Sequence, residues 1–195
     1  MSASRTGSIR VTSPATVFWL TGLSGAGKTT IALALKKRLD KLNAPSMVLD
    51  GDDLRAGINA DLGFSDEHRR ENARRIAHVA KLVSVHGTIV IVAAITPRAA
   101  DRALARSIVG ATYVEVYVGT SLQACEKRDP KGLYHEARAG HIKTFTGVSA
   151  TYEVPEAPEI EIHTEEMTVD AEVDRLVDYL LELQPARPVR RLSQS

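Results

Sequence analysis

Short apolar runs alternate with longer amphipathic stretches along most of this chain. Thr16 to Leu20 (TVFWL) is β-branched and aromatic and predicts a buried strand. From Lys28 to Leu42, apolar residues at Ile31, Leu33, Leu35, Leu39 and Leu42 follow a helical spacing, and Asn43-Ala44-Pro45 ends the helix. Ser46 to Leu49 predicts a second strand, closing on a polar turn, Asp50-Gly51-Asp52-Asp53. Ser65 and Asp66 suit the cap of a long helix running to about Val85, with His86-Gly87 as its stop. Thr88 to Ala94 is the most apolar strand, expected inside the sheet with both faces covered. Further along, Ala99 to Ile108 and Val169 to Leu183 predict helices, and Tyr113 to Val118 and Glu159 to His163 predict strands.

Strands alternating with helices predict an α/β fold of three layers, a mostly parallel sheet flanked by helices on both faces. Ligands in such folds bind at the carboxyl ends of the strands. Between Glu126 and Pro158 the chain is polar and carries several Gly and Pro. That is long for a connection and reads as a lid or binding loop of about residues 126–158. Residues 16–184 form the expected domain, between a flexible lead (1–15) and a basic, disordered tail (185–195).

Composition narrows the function mainly by exclusion. The chain has 195 residues, which suits one domain, and a formal net charge of +1, which gives no footprint for nucleic acid or a membrane surface. A single cysteine, Cys125, forbids an internal disulfide and fits a reducing, cytoplasmic setting. Scattered His residues offer no zinc site. Thr88 to Ile95, the longest apolar run, is too short to span a bilayer, and no signal peptide is visible.

The chemistry begins at Gly22-Leu23-Ser24-Gly25-Ala26-Gly27-Lys28-Thr29, which is G-x-x-x-x-G-K-[ST]. Glycines let the backbone curl until several N–H groups point into one concavity, and the following helix adds its positive end. Lys28 then reaches the β- and γ-phosphates, and the Thr29 hydroxyl ligates Mg²⁺. A glycine-rich turn without function could carry the same letters, but a strand precedes this one and a helix follows. ATP is therefore the expected phosphate donor, with Thr30 completing the loop. Asp52, after strand two, is a candidate to accept the proton of an acceptor hydroxyl or to hold Mg²⁺ through water. Strand three ends without an acid, which adds weight to Asp52, although Asp-Gly-Asp alone is also an ordinary polar turn. Arg55, Arg69, Arg74 and Arg75 surround Asn72; either they form a solvated helix face among Asp66, Glu67 and Glu71, or some of them bind a second anionic substrate.

Three stretches carry a specific resemblance: TGLSGAGKTT, LDGDDLRAGINADLGFSDEHRRENARRIAHVAKL and CEKRDPKGLYHEARAGHIKTFTGVSATYEVPEAPEI. In order and spacing, from about Phe18 to Ile162, they resemble the adenylylsulfate kinase (APS kinase) family of P-loop kinases. That resemblance implies transfer of phosphate from ATP to the ribose 3′-hydroxyl of adenosine 5′-phosphosulfate (APS), giving ADP and PAPS, with Mg²⁺ as cofactor and a homodimer as the usual assembly. By the same resemblance Asp52 lies near the acceptor hydroxyl. Arg55, Arg69 and Asn72 bind the phosphosulfate or ribose, and Phe64 and Phe145 enclose the substrate adenine. Ile95 and Thr96 line the acceptor side, Lys131 and Lys143 sit on the lid, and Arg128 touches ATP. The family commonly reads F-I-S-P-Y-R where this chain has Ala94-Ile95-Thr96-Pro97-Arg98-Ala99, and DGDN where it has Asp50-Gly51-Asp52-Asp53. Arg98 is then expected to stand in for the missing arginine. Two alternatives remain open: a P-loop kinase for another small hydroxyl acceptor, and a regulatory protein that binds APS or PAPS without turnover.

Overall fold

A computed structural model describes residues 13–183. The expected lead (1–12 of it) and the basic tail lie outside the described residues. Five strands form one parallel sheet: β1 (Val17–Thr21), β2 (Ser46–Asp50), β3 (Ile89–Ala93), β4 (Tyr113–Val118) and β5 (Ile160–Ile162), in the order β2-β3-β1-β4-β5. The helices are α1 (Lys28–Lys41), α2 (Gly51–Ala56), α3 (Asp66–Ser84), α4 (Ala99–Val109), α5 (Leu122–Arg128), α6 (Leu133–Arg138) and α7 (Val169–Glu182).

Alternation along β1 divides the core in two. Phe18 and Leu20 pack with Ile31 and Leu35 of α1 and with Val173 and Leu176 of α7. Val17 and Trp19 point the other way, against Ile76 and Ala77 of α3 and Ala105 of α4. Successive side chains of a strand face opposite sides, so a strand that is apolar throughout requires helices on both. β3 lies inside the sheet, as its composition predicts.

Three short helices escape the periodicity. α2 occupies what reads as a polar turn: the Asp50 side chain accepts from the amide of Asp52 at 2.9 Å and caps it, so Asp52 stands in the first helical turn, not on a loop. α5 and α6 fall in or beside the polar 126–158 stretch and are too short, at 7 and 6 residues, for an apolar face to register. The end of that stretch is pinned to the body. Glu153 N–H donates to the Pro97 carbonyl at 2.8 Å, the Glu153 carboxylate accepts from Ala99 N–H at 2.7 Å, and the Tyr152 and Thr21 hydroxyls bond at 2.8 Å.

Charge is buried between α4 and β4. Arg102, with a side chain 5% exposed, meets Glu115 at 2.8 Å and also donates to the Thr96 carbonyl at 3.1 Å. Removing Glu115 leaves Arg102 charged and without its carboxylate in the interior, which costs about 3–5 kcal/mol. Glu115→Ala is therefore expected to lower unfolding stability by about that amount in urea titration, and Glu115→Leu combined with Arg102→Met to recover most of it.

Candidate active site

A cleft of about 1000 Å³ opens across the carboxyl ends of β1, β2 and β3. Ser24, Gly25, Gly27, Lys28, Thr29 and Thr30 line one end, and Asp50, Asp52 and Asp53 line the floor. Arg55, Phe64, Arg69, Asn72, Ile95, Thr96 and Phe145 surround the other end. The sequence separations are large, but parallel strand order brings these segments to one edge of the sheet.

The loop's carbonyls are bonded from behind. Lys28 Nζ donates to the carbonyls of Gly22 and Leu23 at 3.0 and 2.7 Å. The Tyr134 hydroxyl donates to Ser24 O at 3.0 Å, and the Thr120 and Thr164 hydroxyls donate to Ala26 O at 2.8 and 3.3 Å. No side chain caps α1, whose N-cap is Gly27 at φ 107°. Its first-turn amides therefore lack both intrahelical and side-chain acceptors, an arrangement that suits phosphate oxygens. Gly22, Leu23 and Ala26 lie behind the lining; a Cβ at Gly22 would stand 2.6 Å from the Val118 carbonyl, so only glycine fits. Burial lowers the Lys28 ammonium to about 8. Arg128 donates to Thr164 Oγ1 at 2.9 Å, and both side chains line the cleft beside Gly27.

Asp50 lines the cleft beside Asp52 and makes the contact to Thr29. Its carboxylate accepts from Thr29 Oγ1 at 2.7 Å, whereas Asp52 pairs with Lys131 across the mouth of the cleft. The Thr29 hydroxyl and Asp50 carboxylate are hard oxygen donors at the start of α1, a donor set that fits Mg²⁺. Asp52 is left 68% exposed in its side chain, with its amide rather than its carboxylate spent on the cap.

At the far end, Arg55 donates to the carbonyls of Leu62 and Gly63 at 3.1 and 2.9 Å. Arg69 donates to Phe64 O at 2.9 Å and Thr146 Oγ1 at 3.0 Å. Among the described residues neither guanidinium forms a salt bridge, while Arg74 and Arg75 are paired with Glu71 and Asp61. The open choice about this cluster thus divides: Arg74 and Arg75 are a solvated face, and Arg55 and Arg69 are cations turned to the cleft. Burial lowers the proton affinity of both, and Arg69 adds repulsion at Arg55. Phe64 is 61% exposed with the Arg55 guanidinium 4.5 Å from its ring centroid, whereas Phe145 is buried and meets Tyr134 edge-on. Asn72 accepts from Asn59 Nδ2 at 3.0 Å.

Lys143 and Arg98 do not line the main cleft. Lys143 is exposed in an adjoining groove that shares Phe64, Ile142 and Thr144 with it. Arg98 pairs with Asp66 on the surface and does not replace a cleft arginine, because the N-cap position of α4 aims it toward α3. Asp53 lines the cleft as an exposed side chain, so solvent reaches its charge. Conversely, the sequence reading passed over Asp50, Tyr134, Thr146 and Thr164. Asp50 had a signal, an Asx residue opening a helix; Thr164, a single threonine after β5, had none.

Thr96 sits at φ 40°, in the left-handed region that a β-branched residue avoids, and its hydroxyl accepts from Trp19 Nε1 at 3.1 Å. Its buried side chain is thereby tied to the core at the cleft's edge. Thr96→Ser keeps the hydroxyl and sheds the branch, so urea unfolding is expected to find it as stable as the parent or up to about 1 kcal/mol more stable. Thr96→Val leaves the Trp19 N–H unsatisfied and is expected to cost about 1–3 kcal/mol.

The family model described as adenylylsulphate kinase matches residues 14–163. The adenylyl-sulfate kinase of Staphylococcus haemolyticus is 52% identical over 165 residues, covering 84% of this chain and 83% of that protein. That of Pseudomonas aeruginosa is 52% identical over 171 residues, covering 87% of each. Among solved structures, the Mycobacterium tuberculosis APS kinase CysC in complex with AMPPNP and APS superposes with a TM-score of 0.82 at 45% identity, over 86% of this chain and 97% of that one. A cleft with a phosphate loop at one end and two carboxylate-free arginines at the other, on a chain this similar to those enzymes, belongs to a member of the adenylylsulfate kinase family.

Proposed function

We propose that the chain transfers the γ-phosphoryl group of ATP to the ribose 3′-hydroxyl of APS, releasing ADP and 3′-phosphoadenosine 5′-phosphosulfate. One observation carries the choice of acceptor: Arg55 and Arg69 flank the exposed Phe64 with no carboxylate partner. A nucleotide with an anionic 5′ end supplies both missing elements, oxygens for the guanidiniums and a flat ring for Phe64 and Phe145.

The chain's groups divide the work. Amides of the loop and Lys28 hold the donor's phosphates, with Arg128 and Thr164 at the nucleotide end. Thr29 and Asp50 would hold Mg²⁺, which when bound neutralises charge on the β- and γ-phosphate oxygens. Asp52 takes the proton of the 3′-hydroxyl as that oxygen bonds to the γ-phosphorus and the bond to the β–γ bridging oxygen breaks. Its carboxylate is exposed and, among the described residues, bound only by Lys131, which leaves it able to accept that proton once Lys131 turns to phosphate. Arg55, Arg69 and Asn72 orient the acceptor, and the segment around Lys131 and Phe145 excludes water that would otherwise hydrolyse ATP.

A coupled ADP-release assay with APS and a panel of sugar and nucleoside acceptors tests this reading. APS is expected to be the preferred acceptor, with kcat lowered about 10²–10⁴-fold in Asp52→Asn while ATP affinity is retained. ADP from another acceptor and none from APS would overturn it, as would binding of APS without turnover of any acceptor.

Lys28 gives a pH signature. Its ammonium loses its proton near pH 8, well below the ordinary lysine value, and a bound phosphate favours the charged form. Affinity for AMPPNP should be flat below pH 8 and fall above it, by up to about tenfold per pH unit. Calorimetric titration from pH 7 to 9.5 checks this, and the decline should vanish in Lys28→Met.

A further inference from the structure

Tyr134 lies outside the cleft lining, 3% exposed, yet it touches both ends of the cleft through intermediaries. Its hydroxyl donates to Ser24 O, inside the phosphate loop, at 3.0 Å. The edge of its ring meets Phe145, the aromatic of the acceptor end, with centroids 5.0 Å apart and planes at 85°. Its backbone is held as well: the Asp129 carboxylate accepts from the amides of Tyr134 and His135 at 3.1 and 3.0 Å. Lys131, three residues earlier, reaches Asp52. A buried phenol has two torsions and little rotamer freedom, so a displacement of the Ser24 carbonyl passes to the ring and on to Phe145 instead of being absorbed.

We infer that Tyr134 is a positioning residue that couples the two substrate subsites. Nucleotide binding fixes the loop carbonyl, that carbonyl fixes the phenol and α6, and α6 presents Phe145 to the acceptor's base. The first ligand thus meets part of the ordering cost of the second, which is positive coupling between sites that share no direct contact. The inference rests on the functional reading above.

Its test is calorimetric titration of APS into the full chain, with and without saturating AMPPNP and Mg²⁺. In the wild type AMPPNP should tighten APS binding by at least about fivefold. Tyr134→Phe keeps the ring against Phe145 and loses the hydroxyl's bonds to Ser24 O and to the Cys125 thiol. It should bind APS alone within about twofold of wild type and show no enhancement by AMPPNP. Tyr134→Leu loses both contacts and should bind APS more weakly in either condition. A side chain that merely fills the core would leave the enhancement intact in Tyr134→Phe at unchanged thermal stability, and that result overturns the inference. So does a wild type that binds APS equally well with and without AMPPNP. No binding of APS to the wild type under either condition would overturn the functional reading together with this inference, so the two failures are distinguishable.

Discussion

A phosphate-binding loop must satisfy its carbonyl oxygens while leaving most of its amides free. That requirement organises much of the molecule around residues 22–27. Lys28 serves the first two carbonyls from within, Tyr134 serves Ser24 from α6, and Thr120 and Thr164 serve Ala26 from the ends of β4 and β5. Each acceptor is buried or half-buried, where an unmet carbonyl would cost free energy comparable to a lost hydrogen bond. Segments more than 90 residues away in sequence are therefore drawn behind the loop. The parallel sheet makes this possible, since β4 runs beside β1 in register, with Leu20 opposite Val116.

This arrangement explains which parts of the site could be read in advance. The front of the loop was legible because glycine spacing and Lys-Thr encode it locally. The strands were legible too, since β1 and β3 are apolar on both faces and their neighbours are helices with an apolar stripe. The back of the loop was not legible: its donors are single Thr and Tyr residues whose value exists only once distant strands are adjacent. Asp50 is an intermediate case. Reading Asp50 to Asp53 as a turn recognised the Asx chemistry but stopped one step short, because a capped helix begins there and rotates Asp50 toward Thr29 and Asp52 toward Lys131. The polar 126–158 stretch was marked by composition alone, and composition does not distinguish the part that reaches Asp52 from the part that Glu153 and Tyr152 fasten to the sheet edge.

Charge follows a similar division between spent and unspent groups. Arg74, Arg75, Arg98, Arg102 and Arg106 all have carboxylate partners, on the surface or in the α4–β4 seam. Among the described residues Arg55 and Arg69 bond only to carbonyls and a hydroxyl, and each is partly desolvated. Two half-buried guanidiniums near one ring are unfavourable together unless an anion joins them. A net charge of +1 conceals this polarity, because it averages a paired population with an unpaired one. Whole-chain charge gave no reason to expect nucleic acid and had no power to find the anion site.

The turn after β3 shows how a departure from the family string is absorbed. Ala94 to Ala99 replaces a run that the family commonly fills with an aromatic, a serine and a Tyr-Arg pair. Here the threonine hydroxyl is held by Trp19, its carbonyl by Arg102 and Thr21, and Arg98 is drawn outward by Asp66. Arg102 is in turn fixed by Glu115, so the turn is braced from the sheet and from α4 and does not depend on the residues that changed. The bracing holds Thr96 in a left-handed conformation that its branch disfavours, a strain tolerated because three separate partners impose it. Substitutions within the string therefore act first on the α3–α4 seam and on the turn's own strain. The cleft meets them only through Ala94, Ile95, Thr96 and Pro97. Those residues line the cleft, so the smaller Ala94 and the branched Thr96 alter its wall there while the phosphate loop and its supports stay as they are.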